Sequence, residues 1–488
     1  MEALLRNKKA LLIISIITLV ILTLLTRYQG TTDVGDYSDT AKYFAGDFPA
    51  KIRSSHSYFL GLVMSPFVKL TQSFIFFKIL SLVLLLSLVY SVYLASGKNK
   101  NALWLMLFSP ILWYMAPWIN PIQLASLLFF LAYISIKKYE KSGKLLFLVL
   151  SGILIGLSWT FWDAILFFFI IFLVSFFYNK KVPHLILFIL SVLIGLLPKL
   201  ILDQIIFNFV FIGIIRYFFG LISSILFSGV YGTMGQANIL LRILPILFFF
   251  PLFSYKLFSQ KNFIENRGFY IFILLSILLI IGNTQIRYLF LLIPIIMLEL
   301  APMLNHQQVK KQLIFSVIVI LFVSVPYIIQ IKYSTNAEEF SSLLSNINHI
   351  SISKSQTSLI NQDLINLTSE FKGEVFVVGN APDDFQVLAH NYWGKDVKEF
   401  ASIQDYQLVL ENKSILFQKT FMPIPKIAER RQIWISGGIS KNTNDKTNYS
   451  LITYGIGINK PLNLTGFELI KKYNLLYLSK KESIQAHT

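Results

Sequence analysis

No cysteine occurs among the 488 residues, which excludes disulfides, thiol nucleophiles and any metal site that needs a thiolate. Charge is scarce as well. Only 14% of residues are Asp, Glu, Lys or Arg, and the acidic ones are the rarer kind, with 10 Asp+Glu against 27 Lys+Arg in 1–332. Together with 55% hydrophobic residues and a mean hydropathy of +0.63, this excludes a water-soluble globular chain and implies an integral membrane protein.

The formal charge of +18 divides unevenly, about +17 on 1–332 and +1 on 333–488. Basic residues that footprint nucleic acid would gather on one surface, whereas these fall in short stretches between apolar runs, so nucleic acid is not expected as a partner. Runs able to cross a hydrocarbon core of roughly 30 Å predict about eleven spans, near 10–26, 79–97, 101–117, 121–136, 145–160, 164–179, 184–200, 239–255, 268–284, 288–304 and 313–331. The first has Arg6, Lys8 and Lys9 before it and no small-residue cleavage site behind it, so it reads as a retained helix. With the amino terminus cytoplasmic, 16 of the 27 basic residues of 1–332 fall on the inner side, as the positive-inside rule requires. The protein is then a multi-pass plasma-membrane protein, with 333–488 outside. Segments 57–78, broken by Pro66 and carrying Lys69, and 205–229, interrupted by Arg216, read as interfacial helices, with a further span as the alternative for either.

After Lys332 the composition turns mixed and polar, and apolar runs at 374–378, 407–410, 414–418, 432–436 and 475–479 read as strands, with helical stretches at 361–371 and 383–391. The domain organisation expected is therefore a membrane domain, 1–332, with an acidic first external loop at 27–56, and an extracytoplasmic soluble α/β or α+β domain, 333–488.

That first loop holds Asp33, Asp36, Asp39 and Asp47, four of the ten acidic residues of 1–332, and continues into Lys51, Arg53 and His56. Carboxylates at a membrane mouth supply a candidate general base, and the cations behind them candidate anion-binding groups. The competing readings are structural: loop Asp residues solvate the chain and cap a helix, Lys51 and Arg53 anchor at headgroups, and His56 makes a structural hydrogen bond. Asp163, at the turn of the apolar hairpin 145–179, would be costly facing lipid. It is expected in the aqueous turn, with a cavity position as the alternative. The glycine-containing segment 229–235 and the nearby Tyr231, Gln236 and Asn238 read as a gate or as a plain connector.

The sequence Asp33-Val-Gly-Asp36-Tyr37-Ser-Asp39, followed by Ala41-Lys-Tyr43, and the stretch from Arg53 to Tyr58 resemble the acidic loop and aromatic helix of the GT-C glycosyltransferases, within them the protein-mannosyltransferase-like and lipid A aminoarabinose-transferase-like group. Gln285-Ile-Arg287-Tyr288-Leu289 is similar to the Arg-Tyr pair that opens a late helix in such enzymes. The resemblance implies transfer of a sugar from a polyprenyl-phosphate-linked donor to an extracytoplasmic glycan, lipid or protein acceptor. It implies Asp36 as base with Asp33 second, donor-phosphate binding by Arg53, Lys51 and Arg287, and supporting places for His56, Tyr37, Tyr288 and Asp163. It also implies catalysis without a metal or other cofactor, although Asp33 and Asp36 offer oxygen ligands to a divalent cation. The alternatives are a polymerase or ligase of lipid-linked glycans, a scaffold and, more weakly, a lipid or sugar transporter, which should show repeats or mid-membrane ionisable residues, neither of them evident in the sequence.

Overall fold

The structure, a computed structural model, describes residues 8–26, 37, 40–41, 44–46, 58–70, 75–177, 181–207, 210–211, 213–214, 267–283 and 286–332, together with five strands after residue 374. The chain forms two compact units. One runs through Met1–Gly30, Ile75–Phe211 and Ser228–Ile352, the other through Thr31–Phe74, Ile212–Phe227 and Ser353–Thr488.

The first unit is helical: α1 (Lys8–Leu25), α3 (Ile75–Ala95), α4 (Lys100–Leu107), α5 (Pro110–Met115), α6 (Ile122–Ser142), α7 (Leu145–Phe161), α8 (Ile165–Phe177), α9 (Val182–Phe207), α10 (Arg267–Asn283), α11 (Leu289–Leu300) and α12 (His306–Lys332). The remaining helix, α2 (Phe59–Val68), belongs to the second unit. Among the described residues four helices, at Ile75–Ala95, Ile122–Ser142, Val182–Ile206 and His306–Val325, are long and apolar enough to cross a membrane. Their outward faces are apolar: α9 exposes Ile186, Leu190, Leu193, Leu197 and Ile201, and α12 exposes Ile314, Ile318, Leu321 and Ile328. That is the inverse of a soluble amphipathic helix and suits a hydrocarbon surround.

Several boundaries depart from the hydropathy reading. The span expected over 101–117 is two short helices, α4 and α5. Ser109 is extended (ψ 123°) ahead of Pro110 at the first turn of α5, because a proline disfavours helical geometry in the residue before it and suits a helix start. Helix α3 begins at Ile75 rather than 79 and takes Lys78 inside the bundle, where its ammonium donates to the carbonyl of Thr26 beyond the end of α1. A lysine thereby satisfies one of the carbonyls that a helix end leaves without an intrahelical donor. Helix α12 starts at His306 behind a reciprocal capping box, with Gln308 N donating to Asn305 Oδ1 at 2.9 Å and Asn305 N to Gln308 Oε1 at 3.1 Å. The span expected at 239–255 and the interfacial helix expected at 205–229 lie largely or wholly outside the described residues.

Small residues set the closest helix contact. A Cβ on Gly156 of α7 would sit 2.1 Å from Val192 O of α9, and one on Gly195 of α9 would sit 2.2 Å from Ile153 O. Backbone therefore meets backbone, as small residues allow between membrane helices, and Thr160 Oγ1 donates across the seam to Gly195 O at 3.3 Å. On the other side of α7, Ser151 and Ser158 donate to Ala132 O (2.9 Å) and Ala125 O (2.8 Å) of α6. Gly156→Val must force α7 from α9 and is expected to cost about 1–3 kcal/mol, as overpacking does. A melting curve in detergent checks this, and an unchanged midpoint would contradict the backbone contact.

In the second unit, helical residues Tyr37, Thr40, Ala41 and Phe44 form a stripe, with Ala45 N donating to Ala41 O at 2.9 Å. This stripe meets α2 at Gly61, where a Cβ would lie 2.7 Å from Thr40 Cβ. Strands β1 (Val375–Val378), β2 (Val397–Phe400), β3 (Ser450–Thr453), β4 (Phe467–Lys472) and β5 (Leu475–Lys480) form one mixed sheet in the order β2-β1-β3-β5-β4. β1 runs parallel to β2 and β3, with Val375 opposite Val397 and Ser450. β5 runs antiparallel to β3 and β4, with Lys472 opposite Leu475 across a two-residue connection. β1 and β5 fall on expected strands, β2 to β4 were not foreseen, and 407–410, 414–418 and 432–436 lie outside the described residues, as do the helices expected at 361–371 and 383–391.

Candidate functional site

Of the residues singled out above, Asp33, Asp36, Asp39, Asp47, Lys51, Arg53 and His56 lie outside the described residues, as do Tyr231, Gln236 and Asn238. Tyr37 is buried, at 4% exposure, in the second unit, three residues before the Thr40 that meets Gly61 of α2. Arg287, Tyr288 and Asp163 belong to the helical unit, and the structure draws them to one end of it.

That end can be followed contact by contact. Lys78, one turn into α3, holds Thr26 O. One turn further along α3, Ser81 Oγ donates to Trp118 O at 3.1 Å. Trp118 belongs to the non-helical link between α5 and α6, and residues 105–123 are buried throughout. Irregular backbone at membrane depth persists only where protein or an aqueous cavity surrounds it and its polar groups are answered. Here Gln123 Nε2 donates to Trp118 O (2.9 Å) and Met115 O (3.3 Å), and Ile122 N to Asn120 Oδ1 (2.9 Å). From α12, Tyr327 donates its hydroxyl to Tyr114 O at 2.8 Å and accepts from Trp118 Nε1 at 3.2 Å.

Tyr114, wholly buried, lies within electrostatic range of the Arg287 guanidinium. Arg287 is half-buried in the single 3-10 turn Ile286–Tyr288 that opens α11. The next ring, Tyr288, packs edge-on against Trp162 with centroids 4.8 Å apart, and Phe168 closes the cluster at 6.1 Å from Tyr288 and 6.2 Å from Trp162.

Asp163 follows Trp162 directly. The expectation that it lies in an aqueous turn is corrected: it is 3% exposed and its Oδ1 sits 3.2 Å from Nζ of Lys199, itself 0% exposed. One turn along α9, Asp203, also 0% exposed, brings a second carboxylate to bear on Lys199. A carboxylate that cannot face lipid has been given an ammonium, and the ammonium a second carboxylate, which is how buried charge is tolerated. Lys199 stands roughly 12 Å before the end of α9 and about 7 Å past its midpoint, at 1.5 Å per residue.

A second, half-buried polar cluster lies at the opposite end, where Tyr133 of α6 donates to Glu299 Oε1 of α11 at 2.5 Å and Lys137 sits 3.5 Å from the same oxygen. Nearby in sequence, Tyr139 and His184 share a 2.6 Å hydrogen bond that ties α6 to α9. These contacts join helices and face no site residue named above.

Lys78, Lys199, Asp203 and Glu299 escaped the sequence reading. The signal was there: Lys199 and Asp203 stand four apart, on one face, in a helix whose sequence has no other Asp, Glu, Lys or Arg. What this end offers chemically is a partly buried guanidinium, suited by its planar fork to a phosphate or carboxylate, in the same turn as Tyr288 of the aromatic cluster. Among the described residues no group of three His, Asp or Glu side chains could hold a metal ion. Compared with known proteins, the chain matches no family model, no curated protein and no solved structure.

Proposed function

We propose that the chain is an integral membrane glycosyltransferase that moves a sugar from a polyprenyl-phosphate-linked donor to an extracytoplasmic glycan, lipid or protein acceptor. The observation that supports this most is the position of Arg287. It opens α11 at the end of the helical unit where α1 terminates at Thr26 and the chain enters the acidic segment 27–56. In this reading Arg287, with Arg53 and Lys51, holds the donor phosphate. Asp36, or failing it Asp33, takes the acceptor hydroxyl proton as the acceptor oxygen bonds to the anomeric carbon. The bond from that carbon to the phosphate oxygen breaks, and polyprenyl phosphate leaves with its negative charge matched by the cations. The finer architecture proposed is GT-C-like, with about eleven spans, a cytoplasmic amino terminus and an extracytoplasmic α/β or α+β unit over 333–488.

Transport is kept as a second reading because Lys199 and Asp203 are ionisable groups buried on α9, where transporters place their coupling residues. One experiment separates the two. Purified protein in vesicles, given a panel of polyprenyl-phosphate sugars and envelope glycan acceptors, is expected to yield a glycosylated product by mass spectrometry. Transfer should need donor and acceptor on the face from which added protease removes 333–488. No product with any donor, together with movement of the donor headgroup across the bilayer, would replace the enzyme with a transporter.

A further inference from the structure

We propose that Asp163, locked by Lys199, is a positioning residue for Arg287. It acts through the Trp162 ring on Tyr288 and so fixes the guanidinium that receives a polyprenyl-linked phosphate. This rests on the phosphate-binding reading of Arg287 given above and adds to it three residues, Asp163, Lys199 and Trp162, with a stated way of acting.

The chain of contacts is short. Trp162 is the residue at which α7 ends, in an extended conformation (φ −147°, ψ 112°), with its N–H donating to Ser158 O and Trp159 O. The backbone leaves the helix there, so the direction of the indole depends on what fixes the next residue. That residue is Asp163, with only Ala164 between it and α8, and its carboxylate is held 3.2 Å from Lys199 on α9. The seam of Gly156 and Gly195 keeps α9 at a fixed distance from α7, so the ion pair has a rigid base. On the other side of the indole stands Tyr288, with centroids 4.8 Å apart and the rings at 73°. Tyr288 and Arg287 are consecutive in one 3-10 turn, so a shift of the phenol shifts the guanidinium. No step relies on Asp163 touching the phosphate. Misplacing a binding group by about 1 Å is enough to lower its contribution substantially.

Arg287 sits at a helix start, in the 3-10 turn ahead of the first α-helical hydrogen bonds of α11, and is only partly exposed. A guanidinium on a mobile turn would lose conformational freedom at each binding event, which preorganisation avoids. The pair also explains why a charge is buried beside an aromatic cluster. An uncharged turn would fold at lower desolvation cost, but it would not anchor the 162–163 backbone to α9.

The test is a double-mutant cycle on the full-length protein in vesicles, with binding of a radiolabelled long-chain polyprenyl monophosphate as the readout and melting midpoints measured in parallel. Arg287→Ala is expected to weaken binding about tenfold, as loss of a charge-assisted contact does. Asp163→Asn, in which Lys199 keeps Asp203, is expected to weaken it several-fold. The double variant is expected to bind no more weakly than Arg287→Ala alone, the signature of one residue acting through another. Lys199→Arg, which keeps a cation for Asp163, is expected to retain binding. If Asp163→Asn does not fold, Trp162→Leu takes its place in the same cycle, with the same non-additivity expected. If Arg287→Ala leaves binding unchanged, the phosphate-site reading fails and this inference with it. If Arg287→Ala weakens binding while Asp163→Asn, or Trp162→Leu in its place, is neutral or adds its own full effect in the double variant, positioning alone is overturned.

Discussion

Asp36→Asn is expected to abolish sugar transfer while leaving donor binding intact. Amidation preserves the size of the side chain and most of its hydrogen bonding but removes its ability to accept a proton, so a true base loses much of the ~10²–10⁴-fold that general-base catalysis contributes. Arg53→Ala and Arg287→Ala should behave differently. On the proposed reading each removes a cation that meets the phosphate in the bound state as well as in the transition state, so the loss is expected chiefly in donor affinity. Turnover and binding measured separately on purified variants distinguish the two patterns. If Asp33→Asn is inactive and Asp36→Asn is not, the base is the neighbouring carboxylate and the mechanism stands. Normal turnover by both variants would remove the acidic segment from the chemistry.

The contrast between Asp36 and Tyr37 shows what sequence and structure each contribute here. Asp36 is nominated by its type and by the acidic run around it, a pattern visible without coordinates. Tyr37 shares that pattern, and its 4% exposure is a fact of packing that the acidic run does not carry.

Long apolar helices were legible because hydropathy is a local property: α3, α6, α7 and α9 fall where apolar runs lie. Their ends were less so. Lys78 reads as the polar edge of a span, but inside the bundle it answers Thr26 O, a partner 52 residues away. Pro110 could have signalled the break between α4 and α5, yet the run 101–117 stays apolar across it, and hydropathy does not register backbone geometry. The same limit applied to Asp163. Judged by its own neighbours it belongs in water at a turn, and the group that keeps it inside, Lys199, is 36 residues further on. Pairing of buried charge is tertiary information. Arg287 and Tyr288 were readable as a unit because they are adjacent, whereas the indole that meets Tyr288 comes from 162.

The same buried charges make the second large effect a matter of stability. Lys199→Met is expected to destabilise the helical unit by about 3–5 kcal/mol, the cost of breaking a buried ion pair from one side, because Asp163 at 3% and Asp203 at 0% exposure would both lose the cation they share. Methionine matches the length of the lysine stem, so little of the loss comes from a cavity. The triple variant Asp163→Leu, Lys199→Met, Asp203→Leu is expected to recover most of that stability, since an apolar replacement of a whole buried ion group is often neutral or better. The order follows from the desolvation argument: one neutralised member is worse than none or all. Melting midpoints in detergent for the parent, the single and the triple variant check it. A triple variant as unstable as Lys199→Met would mean that the three charges hold α9 to the Trp162 turn by direct attraction that apolar packing cannot replace. A recovered triple variant that still binds polyprenyl phosphate poorly would separate the two roles of these residues, since apolar side chains restore the packing of α7 and α9 but cannot hold the 162–163 turn by an ion pair.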